Sequence, residues 1–311
     1  MQRWKRLGLL FNPLHYKRPK WMNSYAAVPF IEKIDRKSLK IYFSSRTKNN
    51  KSLTGWAKFR LDNFFGGPVE ISKKPLLELG EVGMFDEDGI MGCHITKIKG
   101  KKYFNYIGWN LGCSTPFRNA IGLAEFDKEN NMFKRISKGP ILDRSIYDNC
   151  FVASNCVFDD EDIYRMYYLS CDKWEKVKGK LMPKYNIKYA QSKDGINWGF
   201  KGIVAIDFLY YNEYAISVPR VIKENGIYKM WYSYRGGPKS EFYNIGYAES
   251  NDAINWQRKD NLVNFSKSKE QEWDFNMKCY PFIFDYKNER YMIYNGNDYG
   301  KTGFGLAILE R

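Results

Sequence analysis

The chain has 311 residues, of which 44% are hydrophobic and 17% aromatic, with a formal charge of +15. That is ample for a large core rich in sheet-forming side chains. The charge is spread over single lysines such as Lys58, Lys97, Lys134, Lys188 and Lys259, with no arginine-rich tract. This argues against nucleic-acid binding and leaves a solvated basic surface or attraction to anionic sugars, nucleotide-sugars or membrane lipid.

No segment reaches the length of a membrane span. The six cysteines form no C-x-x-C pair, and His15 and His94 stand far apart. A reducing cytoplasm is therefore expected, with no zinc site, other metal or cofactor.

In chain order, residues 7–11 form a strand-like segment with no neighbour of its own. An apolar strand (27–31), an aromatic strand (39–44) and a third strand (55–59) follow. The same order recurs at 92–98, 103–107 and 118–126, and again at 153–158, 165–169 and 185–192. It returns at 218–222, 229–234 and 243–250, and a last time at 280–284, 290–294 and 304–307. Turn signals such as Lys99-Gly100-Lys101 and Asn225-Gly226 separate the strands.

The clearest repeat is YNIKYAQSKDGINW, starting at Tyr185, which returns 58 residues later as YNIGYAESNDAINW, starting at Tyr243. The copies differ only where Lys188, Gln191, Lys193 and Gly195 face Gly246, Glu249, Asn251 and Ala253. Each alternates like a strand and then enters a polar turn ending in Trp198 or Trp256. The turn resembles the Asp-box of sialidase-type propellers, which implies a structural role for Asp194 and Asp252.

Units of about sixty residues that bury their faces only against neighbours predict a β-propeller. Five repeats predict five blades in one all-β domain spanning residues 1–311. The last repeat lacks an outer strand, so the N-terminal strand is expected to close the ring there.

Residues just ahead of the innermost strands would line a central pocket, and those places are acidic: Asp86, Glu87 and Asp88, then Asp148, Glu213 and Asp274. The first repeat offers Asn23, Ser24 and Tyr25 instead. Carboxylates gathered at one axis can divide acid, base and nucleophile roles. The structural alternative is that they cap loops or pair with Arg144, Arg220 or Arg235. Trp109, Arg118, Ser154, Arg220, Arg235, Tyr280, Asn297 and Tyr299 supply the flat rings and planar donors a sugar site needs. Packing by Trp109 and a turn role for Asn297 are the alternatives.

With FDEDGIMGC (85–93), NEYAISVPR (212–220), WDFNMKCYPF (273–282) and YNGNDYGKTGFG (294–305), the chain resembles the five-bladed β-propeller glycosidase superfamily. That superfamily includes arabinanases, invertases, levansucrases and mannoside phosphorylases. These four stretches in particular resemble glycosidase-like proteins associated with bacterial surface-polysaccharide synthesis. It implies an Asp, an Asp and a Glu on successive inner strands, but the first repeat has no acid at its strand start. The N-D-P-N-G, R-D-P and E-C signatures of the invertase branch are also absent.

The expected function is glycoside processing in an acidic central pocket, with Glu213 as general acid and Asp88, with Asp86, as base or nucleophile. Arg118, Arg220 and Arg235 would hold an anionic part of a carbohydrate, sugar phosphate or nucleotide-sugar, with Asp148 and Asp274 also contributing to binding. Two alternatives remain: a non-catalytic carbohydrate-binding propeller, and a glycosyltransferase or phosphorylase using the same pocket.

Overall fold

Alternating apolar and polar side chains, β-branched and aromatic residues, and turns built on Gly, Asn and Asp give a chain that is nearly all strand. The computed structural model describes residues 1–33, 35–177, 179–237 and 240–310. The first strand, β1, is Gln2–Phe11. A group of four follows: β2 (Ser24–Lys33), β3 (Ser38–Arg46), β4 (Ser52–Arg60) and the short β5 (Glu70–Ile71). The second group is β6 (Gly89–Ile98), β7 (Lys101–Leu111), β8 (Phe117–Asp127) and β9 (Met132–Arg135). The third is β10 (Phe151–Asp160), β11 (Ile163–Val177), β12 (Lys180–Ser192) and β13 (Gly199–Ile206). The fourth is β14 (Ala215–Glu224), β15 (Ile227–Gly236), β16 (Ser240–Ser250) and β17 (Gln257–Arg258). After β18 (Val263–Phe265), the last group comprises β19 (Cys279–Tyr286), β20 (Glu289–Asn295) and β21 (Phe304–Glu310).

Each group is an antiparallel meander. Single parallel bridges, Ser52 to Gly89 and Tyr185 to Ala215, tie the first group to the second and the third to the fourth. The N-terminal β1 is the fourth strand of the last group. It pairs antiparallel with β21 from Arg3 opposite Glu310 to Phe11 opposite Phe304, and β18 lies parallel along its outer side.

The core is divided among the contacts between consecutive groups. Phe30, Tyr42, Phe104 and Tyr106 fill the contact of the first and second groups, and Ile121, Val152, Met166 and Tyr168 that of the second and third. Tyr167, Ile187, Met230 and Tyr232 join the third to the fourth, and Trp231, Tyr247, Met292 and Tyr294 the fourth to the fifth. Phe11, Phe43, Phe59 and Phe304 pack the fifth against the first. Each such large buried side chain stabilises the fold by about 1.5–3 kcal/mol, so the contacts between groups, not the strands alone, hold the molecule.

Every innermost strand (β2, β6, β10, β14, β19) carries a register shift in its first half. Four of them place a non-glycine residue in the left-handed region there: Val28, Ser154, Val218 and Tyr280. A β-branched residue seldom adopts that conformation, so it must be held. Side chains from the preceding group do this at Val28 and Tyr280. The amide of Val28 donates to Asn295 Oδ1 at 2.8 Å, and that of Tyr280 to Ser233 Oγ at 2.7 Å. In the second group the Gly92 amide donates to Thr54 Oγ1 at 2.8 Å.

The repeated turns serve the structural role expected of them. Asp194 Oδ1 accepts from the amides of Ile196 and Asn197 at 2.9 and 2.8 Å, and Asp252 repeats the pattern with Ile254 and Asn255. Tyr167 packs edge-on to Trp256 and donates to the Ala253 carbonyl at 2.7 Å, which joins the fourth-group turn to the third group. Hydrogen bonds from Asn197 and Asn255 and from the backbone hold both carboxyls well below the usual range. Their contribution is therefore present above the unfolded-state value near pH 4 and is lost as pH falls further. Asp194→Ala and Asp252→Ala are each expected to cost about 1 kcal/mol, a modest sum because both turns are largely solvated. Urea unfolding at pH 7 and pH 3 checks this, since the gap to wild type should narrow at the lower pH.

Candidate functional site

The acids ahead of the inner strands occupy equivalent places in four groups, and in each the carboxylate is bonded within its own surroundings. Asp86, fully buried, accepts from Arg135 Nε at 2.8 Å and Tyr106 at 3.1 Å. Asp148 accepts from Ser170 Oγ at 2.7 Å and Tyr168 at 3.2 Å, with Lys188 Nζ at 3.8 Å. Glu213 is gripped by both terminal nitrogens of Arg258, at 2.8 and 2.9 Å, and by the Leu209 amide at 2.7 Å. Asp274 takes a two-pronged contact from Arg6, at 2.8 and 2.6 Å, plus Tyr294 at 2.7 Å.

The chemistry repeats as strictly as the strands do. A loop acid meets a cation, and in three groups a tyrosine of the group's second strand also donates to it. The cation comes from the outermost strand where that strand has an arginine: Arg135 on β9, Arg258 on β17 and Arg6 on β1. In the third group it comes from β12, as Lys188, which faces Gly246 in the sequence repeat. Burial would lower the guanidinium of Arg258, but Tyr232, Glu213 and Asp260 outweigh it and hold the group well above its ordinary value. Arg6 likewise ends up raised, with Asp274 and Glu272 outweighing burial.

A cavity of about 570 Å³ is lined by residues of all five groups. Tyr25, Ser44, Ser45, Arg46 and Ser52 come from the first, Met91 and Phe117 from the second, and Trp174, Met182 and Tyr185 from the third. Tyr214 and Arg235 come from the fourth, and Tyr280 and Tyr299 from the fifth. No carboxylate lines it among the described residues. The expected acidic pocket is thus corrected to an aromatic and cationic one, because the carboxylates that would have entered it are consumed by Arg135, Lys188, Arg258 and Arg6.

The two arginines sit at equivalent ends of the second strands, Arg46 opposite Ser24 and Arg235 opposite Ala215. Neither forms an ion pair with a carboxylate among the described residues. Arg235 stands over the rings of Tyr214, Tyr243 and Tyr299 at 5.1, 5.4 and 5.7 Å and donates to Tyr299 Oη at 2.9 Å. Arg46 lies 5.1 Å over Trp109 and donates to the Asn50 carbonyl at 2.9 Å. Burial pulls its guanidinium below the ordinary value without removing its charge. Tyr185 and Tyr243 share a hydrogen bond between their hydroxyls, and burial raises both.

β11 and β12 outrun the other strands, at 15 and 13 residues, so their hairpin carries Trp174, Leu181 and Met182 to the cavity wall. Trp174 is wedged there against Phe117 and Phe151, ring centres 5.2 and 5.7 Å away. A second hollow of about 800 Å³ shares Met182, Tyr214, Arg235 and Tyr299 with the first and adds Lys180, Lys184 and Tyr211 together with Glu175 and Glu241. Glu213 borders it, with its carboxylate engaged by Arg258.

Of the residues singled out in the sequence, Arg235, Tyr280 and Tyr299 line the cavity. Trp109 backs it, donating to Ser52 Oγ at 2.9 Å and carrying Arg46. Asp88 lies outside the lining, its carbonyl accepting from the amide of the lining residue Ser52 at 3.2 Å, with its side chain 3.2 Å from Lys51 Nζ and accepting from the Leu111 amide at 2.9 Å. Arg118 is exposed on β8 beside Phe117. Ser154 is buried at the β10 bulge.

Arg220 is corrected from sugar ligand to buried residue. It donates to the Cys93 carbonyl at 2.7 Å, two residues further along the inner strands than the cavity-lining level. Asn297 is a loop tie whose Oδ1 accepts from the Asn276 and Met277 amides at 3.0 and 3.2 Å.

Arg46, Tyr185, Tyr214 and Trp174 were not singled out by sequence reasoning. A signal for Arg46 did exist, since Phe43-Ser44-Ser45-Arg46 and Tyr232-Ser233-Tyr234-Arg235 end their second strands alike. A second signal was the long stretch between the second and third strands of the third repeat.

No protein-family model matches the chain. Over 310 residues, 99% of both chains, it is 34% identical to an uncharacterized protein of Mycobacterium tuberculosis. A 131-residue stretch, 40% of the chain, is 29% identical to part of the 1,2-beta-oligomannan phosphorylase of Thermoanaerobacter sp., covering 44% of that protein. Among solved structures, the catalytic domain of the Coprinopsis cinerea GH62 alpha-L-arabinofuranosidase matches 99% of the chain and 96% of its own length. The TM-score is 0.67 at 14% identity. The fold is that of the propeller glycosidases.

Proposed function

The chain belongs to the same family as the uncharacterized mycobacterial protein and has the fold of the propeller glycosidases, and from that premise we propose a single five-bladed domain, residues 1–311, closed by β1, that processes a phosphate-bearing sugar. Its cavity would hold the anionic group between Arg46 and Arg235 and the sugar rings against tyrosine and tryptophan. One observation carries the reading: two arginines without carboxylate partners in a cavity walled by aromatic rings. Hydrolysis by two carboxylates needs two free acids facing one bond, and the buried pairs leave too few. Phosphorolysis needs one acid, because phosphate itself is the nucleophile and arginine can carry it. The stretch similar to an oligomannan phosphorylase supports this choice.

Asp88, beside Lys51 and Ser52, is the acid retained as the catalytic candidate, whereas Asp86 and Glu213 are assigned to the scaffold. A carbohydrate-binding protein without catalysis is the second reading, favoured by the absence of any carboxylate from the lining among the described residues. Both readings place the protein in a reducing cytoplasm, in keeping with its six free cysteines, and in surface-polysaccharide metabolism.

Calorimetric titration with sugar 1-phosphates, neutral oligosaccharides and nucleotide-sugars tests the ligand class. Binding of a sugar phosphate is expected, and Arg46→Met and Arg235→Met should each weaken it by roughly 30-fold or more, as for loss of a partly desolvated charge pair. Affinity should also fall with added salt. Equal affinity of both variants and wild type would remove the anionic-sugar reading. Phosphate release or uptake with a glycan panel then separates the two readings, with Asp88→Asn expected to abolish turnover and leave binding intact.

A further inference from the structure

Arg220 is 5% exposed, and among the described residues no carboxylate pairs with it. Its Nη1 and Nη2 donate to the carbonyls of Pro219 and Cys93 at 3.1 and 2.7 Å, and Phe282 stacks 5.5 Å from the guanidinium. Its Nε has no hydrogen-bond partner among the described residues, although the Cys156 thiol lies against the guanidinium. Carbonyls and a ring satisfy donors but do not cancel a full charge, and an uncompensated buried charge is among the costliest features a fold can carry.

The neighbours cannot supply the missing negative charge. Burial pushes the Cys93 thiol up to about 12 and raises Cys156 as well, so neither is a thiolate at neutral pH. His94 lies in the same field and is held down to about 3, by burial first and then by Arg220. It is therefore neutral too.

The surroundings carry a second sign of an occupant. Of the buried side-chain atoms without a hydrogen-bond partner among the described residues, two are donors on neighbouring inner strands, His94 Nδ1 and Arg220 Nε, and His94 lies in the field of Arg220. The same region is otherwise well bonded. His94 Nε2 accepts from the Val157 amide at 3.1 Å, and Asn155 Nδ2 donates to Asn105 Oδ1 at 3.1 Å. Orphaned polar atoms concentrated in a bonded region mark a bound ion or water.

We propose that a halide, chloride under ordinary conditions, binds beside Arg220 Nε as the counter-ion of this buried guanidinium. A halide suits this place better than an oxyanion. It is weakly hydrated, sets no geometric demand, and accepts from N–H, O–H and thiol S–H donors alike. It lies beyond the apolar layer of Ala27, Val28 and Val218 with Met91 and Tyr280, which separates it from the sugar cavity. The site is therefore independent of the catalytic reading.

Thermal unfolding in sodium chloride and in sodium gluconate of matched ionic strength tests this on the intact chain. Ligand linkage predicts that wild-type Tm climbs with the logarithm of chloride concentration above the gluconate series, with bromide acting in place of chloride. Arg220→Met should abolish the difference between the salts. A crystal grown in bromide should show an anomalous peak within hydrogen-bond reach of Arg220 Nε. Equal Tm in the two salts, a chloride effect that survives Arg220→Met, or water in place of bromide would each overturn the site. Should Arg220→Met fail to fold, the wild-type salt series and the bromide map decide.

Discussion

Deletion of residues 1–11 is expected to abolish cooperative unfolding at room temperature and leave an aggregating chain. β1 is the fourth strand of the last group, so its loss exposes the open edge of β21 and strands β18. Three large side chains leave the core with it, Trp4, Leu10 and Phe11, each worth about 1.5–3 kcal/mol. Phe11 is the costliest, because it touches Phe43, Phe59 and Phe304 and so joins the last group to the first. Arg6 goes too, which strips Asp274 of its two-pronged partner and leaves a buried carboxylate with Lys278 at 4.0 Å. Together these losses rival the whole stability of a typical domain. Circular dichroism melts and size-exclusion chromatography of the truncated chain check this. A synthetic peptide of residues 1–11 should restore part of the transition when added in trans. A truncated chain with wild-type Tm would mean that β1 is ornamental.

The strand order was legible because side-chain alternation and turn chemistry are local, and the near-identical 185–198 and 243–256 stretches set the period for the weaker copies. The acids were legible as a repeated register, but their meaning was not. A carboxylate ahead of an inner strand reads alike whether it faces a cavity or an arginine, and the partner lies far off in sequence. Asp274 and Arg6 are 268 residues apart, and Asp86 and Arg135 are 49 apart. The one local hint was Lys188 facing Gly246: the copy without an arginine on its outer strand carries its own cation. Arg46 was hidden because the cavity is defined by what remains unpaired, and pairing is a property of the folded chain.

Arg258→Leu is expected to destabilise the protein by about 3–5 kcal/mol, because it leaves the fully buried Glu213 without its counter-charge. For a chain of this length that lowers Tm by roughly 5–8 °C. Glu213→Gln should cost less, about 1–3 kcal/mol, since Arg258 keeps Asp260 at 2.6 Å and the amide retains some of the bonds. The pair should therefore be strongly coupled in a double-mutant cycle, with the doubly substituted chain less destabilised than the sum of its parts. The same variants decide between scaffold and chemistry. If Glu213 only anchors the loop ahead of β14 to β17, Glu213→Gln lowers Tm while sugar-phosphate binding and turnover per folded molecule persist. If instead Glu213→Gln leaves Tm unchanged and removes turnover, the carboxylate acts on substrate and the scaffold assignment of all four acids must be reopened.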